Sequence, residues 1–162
     1  MKSLKLYIEN DKQILILRNA TVGDLENLRQ WKNSQRDLFF HTEIISVEQQ
    51  KIWFNEFQNR VNDYMFIVEL NGISIGCMGI RLLSNRWDIY NLILGKSEFR
   101  KKGYMGKAFN AMLNFALTVK KSEITLQVLK FNPAVDWYKK NGFNVKSEHS
   151  NFYSMIYNSF TI

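Results

Sequence analysis

Hydrophobic residues along this chain follow two different periods, and each change of period marks an element. Residues 14–17, Ile-Leu-Ile-Leu, read as a short buried strand. Thr21 then offers an N-cap with Asp24 three residues on, an approximate capping box. Leu25, Leu28 and Trp31 follow at helical spacing and predict a first helix to about Asn33. Ser46 and Gln49 make a fuller capping box. They open a second helix whose apolar positions are Val47, Trp53, Phe54, Phe57 and Val61. Residues 34–45, between the two, form a polar and aromatic loop.

The middle of the chain changes to a period of two. Residues 64–70 and 73–82 read as strands joined by Asn71-Gly72, a strong hairpin signal. Ser84-Asn85-Arg86 turns the chain into a further strand, 87–94. Strict alternation puts Trp87, Ile89, Asn91 and Ile93 on one face of it, and Asp88, Tyr90, Leu92 and Leu94 on the other. Helical spacing returns over 105–119 through Met105, Ala108, Phe109, Met112, Ala116 and Leu117. A strand at 124–129 leads to Asn132-Pro133, an N-cap followed by proline in the first turn, and Gly142 ends the helix so opened. Residues 143–146 and 152–158 read as closing strands. The order β-α-α-β-β-β-α-β-α-β-β predicts an α/β or mixed α+β layer fold. No repeat, low-complexity tract or proline-rich linker interrupts it, so residues 1–162 are expected to form one domain.

Composition narrows the class. Apolar residues make up 46 % and aromatics 14 %, with eight glycines and one proline, which excludes disordered, collagen-like and linker-rich proteins. A chain of this length buries roughly 70 % of its unfolded surface, enough for a core without staples. Cys77 is the sole cysteine, so an intramolecular disulfide and a multi-cysteine zinc or iron–sulfur site are both excluded, and no metal is expected. Within Gly76-Cys77-Met78-Gly79 it reads as a small buried strand residue, the glycines marking a bulge or a close backbone contact. Apolar runs stay far below the ~20 residues of a membrane helix. Residues 1–11 interleave Lys2, Lys5, Glu9 and Asp11 with apolar positions, unlike a signal-peptide core. A soluble cytoplasmic protein with no membrane partner is the expectation.

The net charge of +7 is unevenly placed. Residues 1–95 balance 11 Lys and Arg against 11 Asp and Glu, whereas residues 96–162 carry 11 against 4. The densest part surrounds Arg100-Lys101-Lys102-Gly103-Tyr104-Met105-Gly106-Lys107-Ala108, between a strand and a helix. There the free N–H groups and positive dipole end of a helix favour an anion, and glycines let phosphate oxygens approach the backbone. With Arg100, Lys101, Lys102 and Lys107 beside Gly103 and Gly106, the stretch reads as a pyrophosphate cradle or, more plainly, as a glycine-capped strand-to-helix turn. It is neither a Walker loop nor a Rossmann fingerprint. Charge by itself suits nucleic acid, anionic lipid or a phosphorylated small molecule.

Arg100-x-x-Gly103-x-Met105-Gly106-x-Ala108 resembles the acetyl-coenzyme-A loop of the GNAT superfamily of N-acetyltransferases, usually written Gln/Arg-x-x-Gly-x-Gly/Ala. Downstream, Asn132-Pro133-Ala134-Val135-Asp136-Trp137-Tyr138-Lys139-Lys140-Asn141-Gly142-Phe143 is similar to that superfamily's Asn-Pro-Ala-x-x-Leu/Phe-Tyr-x-Lys/Arg-x-Gly-Phe helix. Both motifs occur in order and on the expected elements, and the likeness covers about residues 14–157. It implies a central, mostly antiparallel twisted sheet of six to seven strands flanked by about four helices. Its second small position is Met105 here, whose side chain either flanks the pyrophosphate or turns into the core.

The resemblance implies acetyl-CoA as co-substrate and a small amine as acceptor. Arg100, Lys101, Lys102, Gly103, Met105, Gly106 and Lys107 would hold the diphosphate, and Leu92, Ile93 and Leu94 the pantetheine arm, a backbone N–H near Leu92 or Ile93 polarising the thioester carbonyl. Asn132 and Tyr138 would complete the cofactor site, Tyr138 also protonating the departing thiolate. Asn132 has an ordinary role as N-cap and Tyr138 as a core aromatic. For the base, Asp88 and Tyr90 share a strand face leading into the site, while His41 and Glu43 lie in the loop expected to line the acceptor pocket; His149 is a weaker candidate. Relatives acting on ribosomal-protein N-termini often carry Glu where this chain has Gln127. Trp31-Lys32-Asn33 and the aromatic loop after it are similar to acetyltransferases of nucleotide-linked amino sugars, a layout shared with the ribosomal-protein branch. An amino-sugar acceptor is therefore the leading expectation and a protein N-terminus the alternative. A CoA-binding module without catalysis and a basic nucleic-acid-binding module are the readings from other classes, the latter disfavoured because aromatics do not interleave the cations. Assembly is left open, a homodimer included.

Overall fold

Antiparallel pairing carries the chain back and forth across one twisted sheet. In the computed structural model, which describes residues 3–158, the strands are β1 (Lys5–Ile8), β2 (Leu15–Asn19), β3 (Asp63–Leu70), β4 (Ile73–Leu83), β5 (Arg86–Leu94), β6 (Ile124–Leu129), β7 (Phe143–Glu148) and β8 (Phe152–Tyr157). They lie in the order β1-β2-β3-β4-β5-β6-β8-β7. Every pair is antiparallel except β5 with β6. The helices are α1 (Leu25–Ser34), α2 (Val47–Gln58), α3 (Tyr104–Val119) and α4 (Ala134–Lys140). The sheet has one strand more than the six to seven expected. The addition is β1, a half-exposed edge strand whose mixed charges hid it, registered on β2 from Lys5↔Arg18 to Ile8↔Leu15.

Alternation along β3 assigns the two faces. Phe66 and Val68 enter a large core with Trp87 and Ile89 of β5 and with Ala108, Phe109, Met112, Leu113 and Ala116 of α3. Met65 and Ile67 point the other way, joining Leu28 and Trp31 of α1, Phe54 and Phe57 of α2, Cys77 and Ile93. Phe109 is fully buried, its ring 5.0 Å from that of Trp137 and 5.6 Å from that of Phe143. Burying a side chain of this kind contributes about 2–3 kcal/mol, and truncation adds a cavity cost. Trp87 is also wholly buried, and its indole Nε1–H is satisfied by the Lys120 carbonyl at 2.9 Å.

Three expectations change. Ile14 lies just outside β2 and is exposed, because the strand begins at Leu15. Val61 lies beyond α2, which ends at Gln58, and is 83 % exposed. The third concerns β5. Its register against β4 shifts between Cys77 and Gly79, and Asn91 takes a left-handed φ of 49°. This is a β-bulge, and one extra residue exchanges the faces of everything beyond it. Ile93 therefore packs with α1 and α2, opposite Trp87 and Ile89, while Leu92 joins the α3 side.

Candidate functional site

β5 and β6 run parallel only from Trp87↔Ile124 to Ile89↔Leu126 and then separate. Beyond Ile89, β5 has a ladder partner on one side alone, β4. The opening is a cleft of about 850 Å³ lined by Leu92 and Leu94 of β5, Gln127, Val128 and Leu129 of β6, the 100–106 loop and the start of α4. Across its mouth Gln35 donates from Nε2 to the Leu94 carbonyl at 3.0 Å, a link from the end of α1 that sequence periodicity does not reveal.

The loop leaves the start of α3 bare and open. Lys101 and Gly103 both take left-handed φ, 61° and 82°, and Gly103 serves as N-cap with no side chain capping the helix. The first backbone bond of α3 runs from Lys107 N–H to the Gly103 carbonyl at 3.1 Å. The amides of Tyr104, Met105 and Gly106 lie ahead of it without intrahelical acceptors. A Cβ on Gly103 would meet nothing within 4 Å, so the glycine serves its positive φ and leaves open space over the helix end. Met105 resolves its departure from the small-residue pattern by turning inward. Its Sδ and Cε lie 3.0 Å from where a Cβ on Gly76 would stand, so the side chain occupies space that Gly76 leaves open. These features suit the diphosphate of acetyl-CoA, with the open strand pair leading from it into the cleft.

The remaining expected residues separate into groups. Arg100, Lys101, Gly103, Met105 and Gly106 line the cleft, as do Leu92, Leu94, Asn132, Tyr138, Asp88 and His41. Lys102 is exposed and off the lining. Lys107 is not at the cradle: its Nζ donates to Asn10 Oδ1 at 2.6 Å, and the Tyr104 hydroxyl donates to Gln13 Oε1 at 2.9 Å, so both tie the β1–β2 turn to α3. Ile93, turned over by the bulge, lines a second cavity instead. Asn132 fulfils its capping role, accepting from Ala134 N–H at 2.9 Å, and also donates to the Leu38 carbonyl at 3.2 Å.

Tyr138 is buried among Phe109, Trp137 and Phe143 yet lines the cleft. Burial pushes its phenol well above the ordinary value, so it stays protonated. Asp88 is also raised by burial, partly offset by Arg81, whose Nε donates to Oδ2 at 3.0 Å. Tyr90 donates to Asp63 Oδ1 at 2.5 Å, and burial and that carboxylate raise its phenol strongly. Glu43 is exposed and off both linings; His149 stacks on Phe152 at 4.2 Å, away from them. Cys77 is buried, which pushes its thiol up to about 12 and keeps it neutral. Among the described residues no cluster of His, Cys, Asp and Glu could hold a metal, and no helix is long and apolar enough to cross a membrane.

The second cavity, about 280 Å³, lies between α1, α2 and the sheet and is lined by Leu28, Gln49, Gln50, Trp53, Met65 and Cys77 among others. Lys32, His41 and Asn91 line both cavities, so the two meet at these residues. Asn91 reaches this junction through the bulge. Gly76 and Gly79, which flank the shift on β4, and Asn91 itself, a poor strand former in the middle of β5, are its local signs.

A model of the acetyltransferase (GNAT) domain matches residues 15–144. Solved structures with the same fold include a domain from Methanocaldococcus jannaschii, 19 % identical over 90 % of this chain and 98 % of that one, with a TM-score of 0.77. The spermidine N-acetyltransferase from Vibrio cholerae in complex with CoA and spermine is 21 % identical over 88 % of this chain and 92 % of that one, TM-score 0.73. The paia N-acetyltransferase from Thermoplasma acidophilum in complex with coenzyme A is 18 % identical over 88 % and 98 %, TM-score 0.66. No curated protein sequence matches. At these identities the structures speak to fold alone, whereas the domain match spans most of the chain and includes both the bare helix start and the parted strands. The chain belongs to the GNAT acetyltransferase family, whose members transfer the acetyl group of acetyl-CoA to an amine.

Proposed function

We propose that this enzyme acetylates the primary amine of an amino sugar, free or nucleotide-linked, in one cytoplasmic catalytic domain. The observation that carries the reading is the junction, where a thioester cleft opens beside a separate cavity of monosaccharide scale rimmed by amide side chains. Gln49, Gln50 and Asn91 supply paired donors and acceptors suited to hydroxyls, and Trp53 supplies a flat apolar wall. Acetyl-CoA, when bound, supplies the activated acetyl thioester. The amides at the start of α3, with Arg100 and Lys101, hold its diphosphate, and a β5 amide at Leu92 or Ile93 polarises the carbonyl oxygen. Tyr138, kept neutral by burial, donates its proton toward the leaving sulfur. His41 stands at the junction as base, whereas Asp88 is held by Arg81.

A polyamine acceptor, as in the Vibrio neighbour, is disfavoured by charge. Lys32 is the charged residue lining the acceptor cavity besides titratable His41 and Cys77, and among the described residues no carboxylate lines it. A panel of amino sugars, nucleotide-linked amino sugars, peptides and spermidine, followed by free-thiol release from acetyl-CoA, tests the reading. Turnover is expected with an amino sugar; turnover of peptides or spermidine alone would refute it.

A further inference from the structure

Lys32 is a partly buried charge with no counter-ion among the described residues. It projects from α1 to the junction, half-buried, where its Nζ donates to Asn91 Oδ1 at 2.5 Å and lies 3.4 Å from the centre of the Phe39 ring. Among the described residues no carboxylate pairs with it, although Asp and Glu engage the arginines at 18, 29, 60 and 81. The titratable groups near it are Cys77 of β4, neutral because buried, and His41 of the loop that closes the cavity. Burial lowers the ammonium to about 8, so it remains largely charged at neutral pH. A desolvated charge with one neutral acceptor and a ring is costly unless something else completes it. The open space beside it is the acceptor cavity.

We propose that Lys32 is the acceptor-specificity residue, pairing with a phosphate carried by the amine substrate, so that the enzyme prefers phosphorylated or nucleotide-diphosphate-linked amino sugars to neutral ones. This rests on the amino-sugar reading above and adds the anion to it. The geometry has three parts: a cation with no ion pair and an adjoining cavity with no acidic group, both among the described residues, and a fixed direction set by the Asn91 bulge. An ammonium serves here as a compact point charge able to follow a phosphate. The same charge rejects a polycation.

The test compares initial rates of free-thiol release from acetyl-CoA with glucosamine, glucosamine 6-phosphate, glucosamine 1-phosphate and UDP-glucosamine. At least one anionic acceptor is expected to exceed glucosamine about tenfold or more in kcat/KM, the scale of one well-placed charge pair. A sugar phosphate in the lead identifies a phosphomonoester ligand, and UDP-glucosamine in the lead a nucleotide diphosphate; either supports the proposal. In Lys32→Met the anionic-to-neutral ratio should collapse toward one through KM, and Lys32→Arg should restore part of it. Wild-type rates test the preference itself, and an unchanged anionic-to-neutral ratio in Lys32→Met, or in Lys32→Gln should the first variant fail to fold, overturns its assignment to Lys32. Equal kcat/KM for glucosamine and all three anionic forms overturns the anion pairing and leaves the amino-sugar reading intact. No turnover of any amino sugar, with turnover of another amine, removes both.

Discussion

Tyr138 brings a phenol to the cleft from an apolar setting, and its raised pKa has two consequences. The group is reliably protonated, and it gives up its proton only to a base desolvated in the same place, which a thiolate leaving into that cleft would be. Tyr138→Phe is expected to lower kcat by about 10–100-fold with little change in KM for acetyl-CoA, measured by thiol release. A near-normal kcat would make Tyr138 a packing residue. Asp24 shows the opposite balance. Burial by itself would raise its carboxyl, but Arg18, donating at 2.8 and 2.9 Å, and the Thr21 amide at 2.7 Å hold it below the ordinary carboxylate value. Its stabilisation is therefore present above pH ~4 and is lost as pH falls through the lowered folded value. Asp24→Asn should cost about 3 kcal/mol at neutral pH, and its acid-unfolding profile should be flatter than wild type below pH ~4. An equal loss of unfolding free energy between pH ~5 and pH ~3 in wild type and Asp24→Asn, measured by urea titration, would remove Asp24 from the acid response.

At the scale of elements, the site is made by a strand that bends and a helix that starts bare. Gly106 is in the first turn of α3, where a Cβ would meet only Asn141 Oδ1 at 3.5 Å. A carboxylate there is compatible with the helix dipole but opposes a diphosphate on the same amides. Saturating acetyl-CoA should raise the wild-type melting temperature by roughly 5–10 °C, and Gly106→Asp should melt normally yet lose that shift. A retained shift would place the diphosphate elsewhere. The loop and α4 are legible in the sequence because glycine spacing, capping residues and the Asn-Pro start act over a few residues. The bulge is signalled by Gly76 and Gly79 opposite it, but the exchange of faces that it causes along β5 is not, since alternation assumes an uninterrupted period of two. That single inserted residue turned Ile93 to the side of α1 and α2 and brought Asn91 to the junction. Lys107 misled for a related reason: spacing put a cation near the cradle, but its long side chain found Asn10 on a turn 97 positions away.

Across the whole molecule, part of the excess positive charge reaches the cleft. Residues 96–162 carry the excess of positive charge, and Arg100 and Lys101 line the large cavity. Such a field attracts a polyanionic co-substrate and is screened beyond about 8–10 Å at ordinary ionic strength. KM for acetyl-CoA should therefore rise several-fold between ~50 and ~500 mM salt, while kcat changes little. A salt-independent KM would mean that the diphosphate is held by amides without help from the cations. By itself the sequence determined the order of the elements from β2 onward and the glycine-marked start of α3, because periodicity, caps and glycines are short-range instructions read along the chain. Only the tertiary structure decided where β5 parts from β6, which way Ile93 and Met105 turn, and that Lys32 and Asn91 meet across 59 positions where two cavities join. Those outcomes depend on which groups arrive from distant elements to fill or leave a space, and no local pattern encodes them.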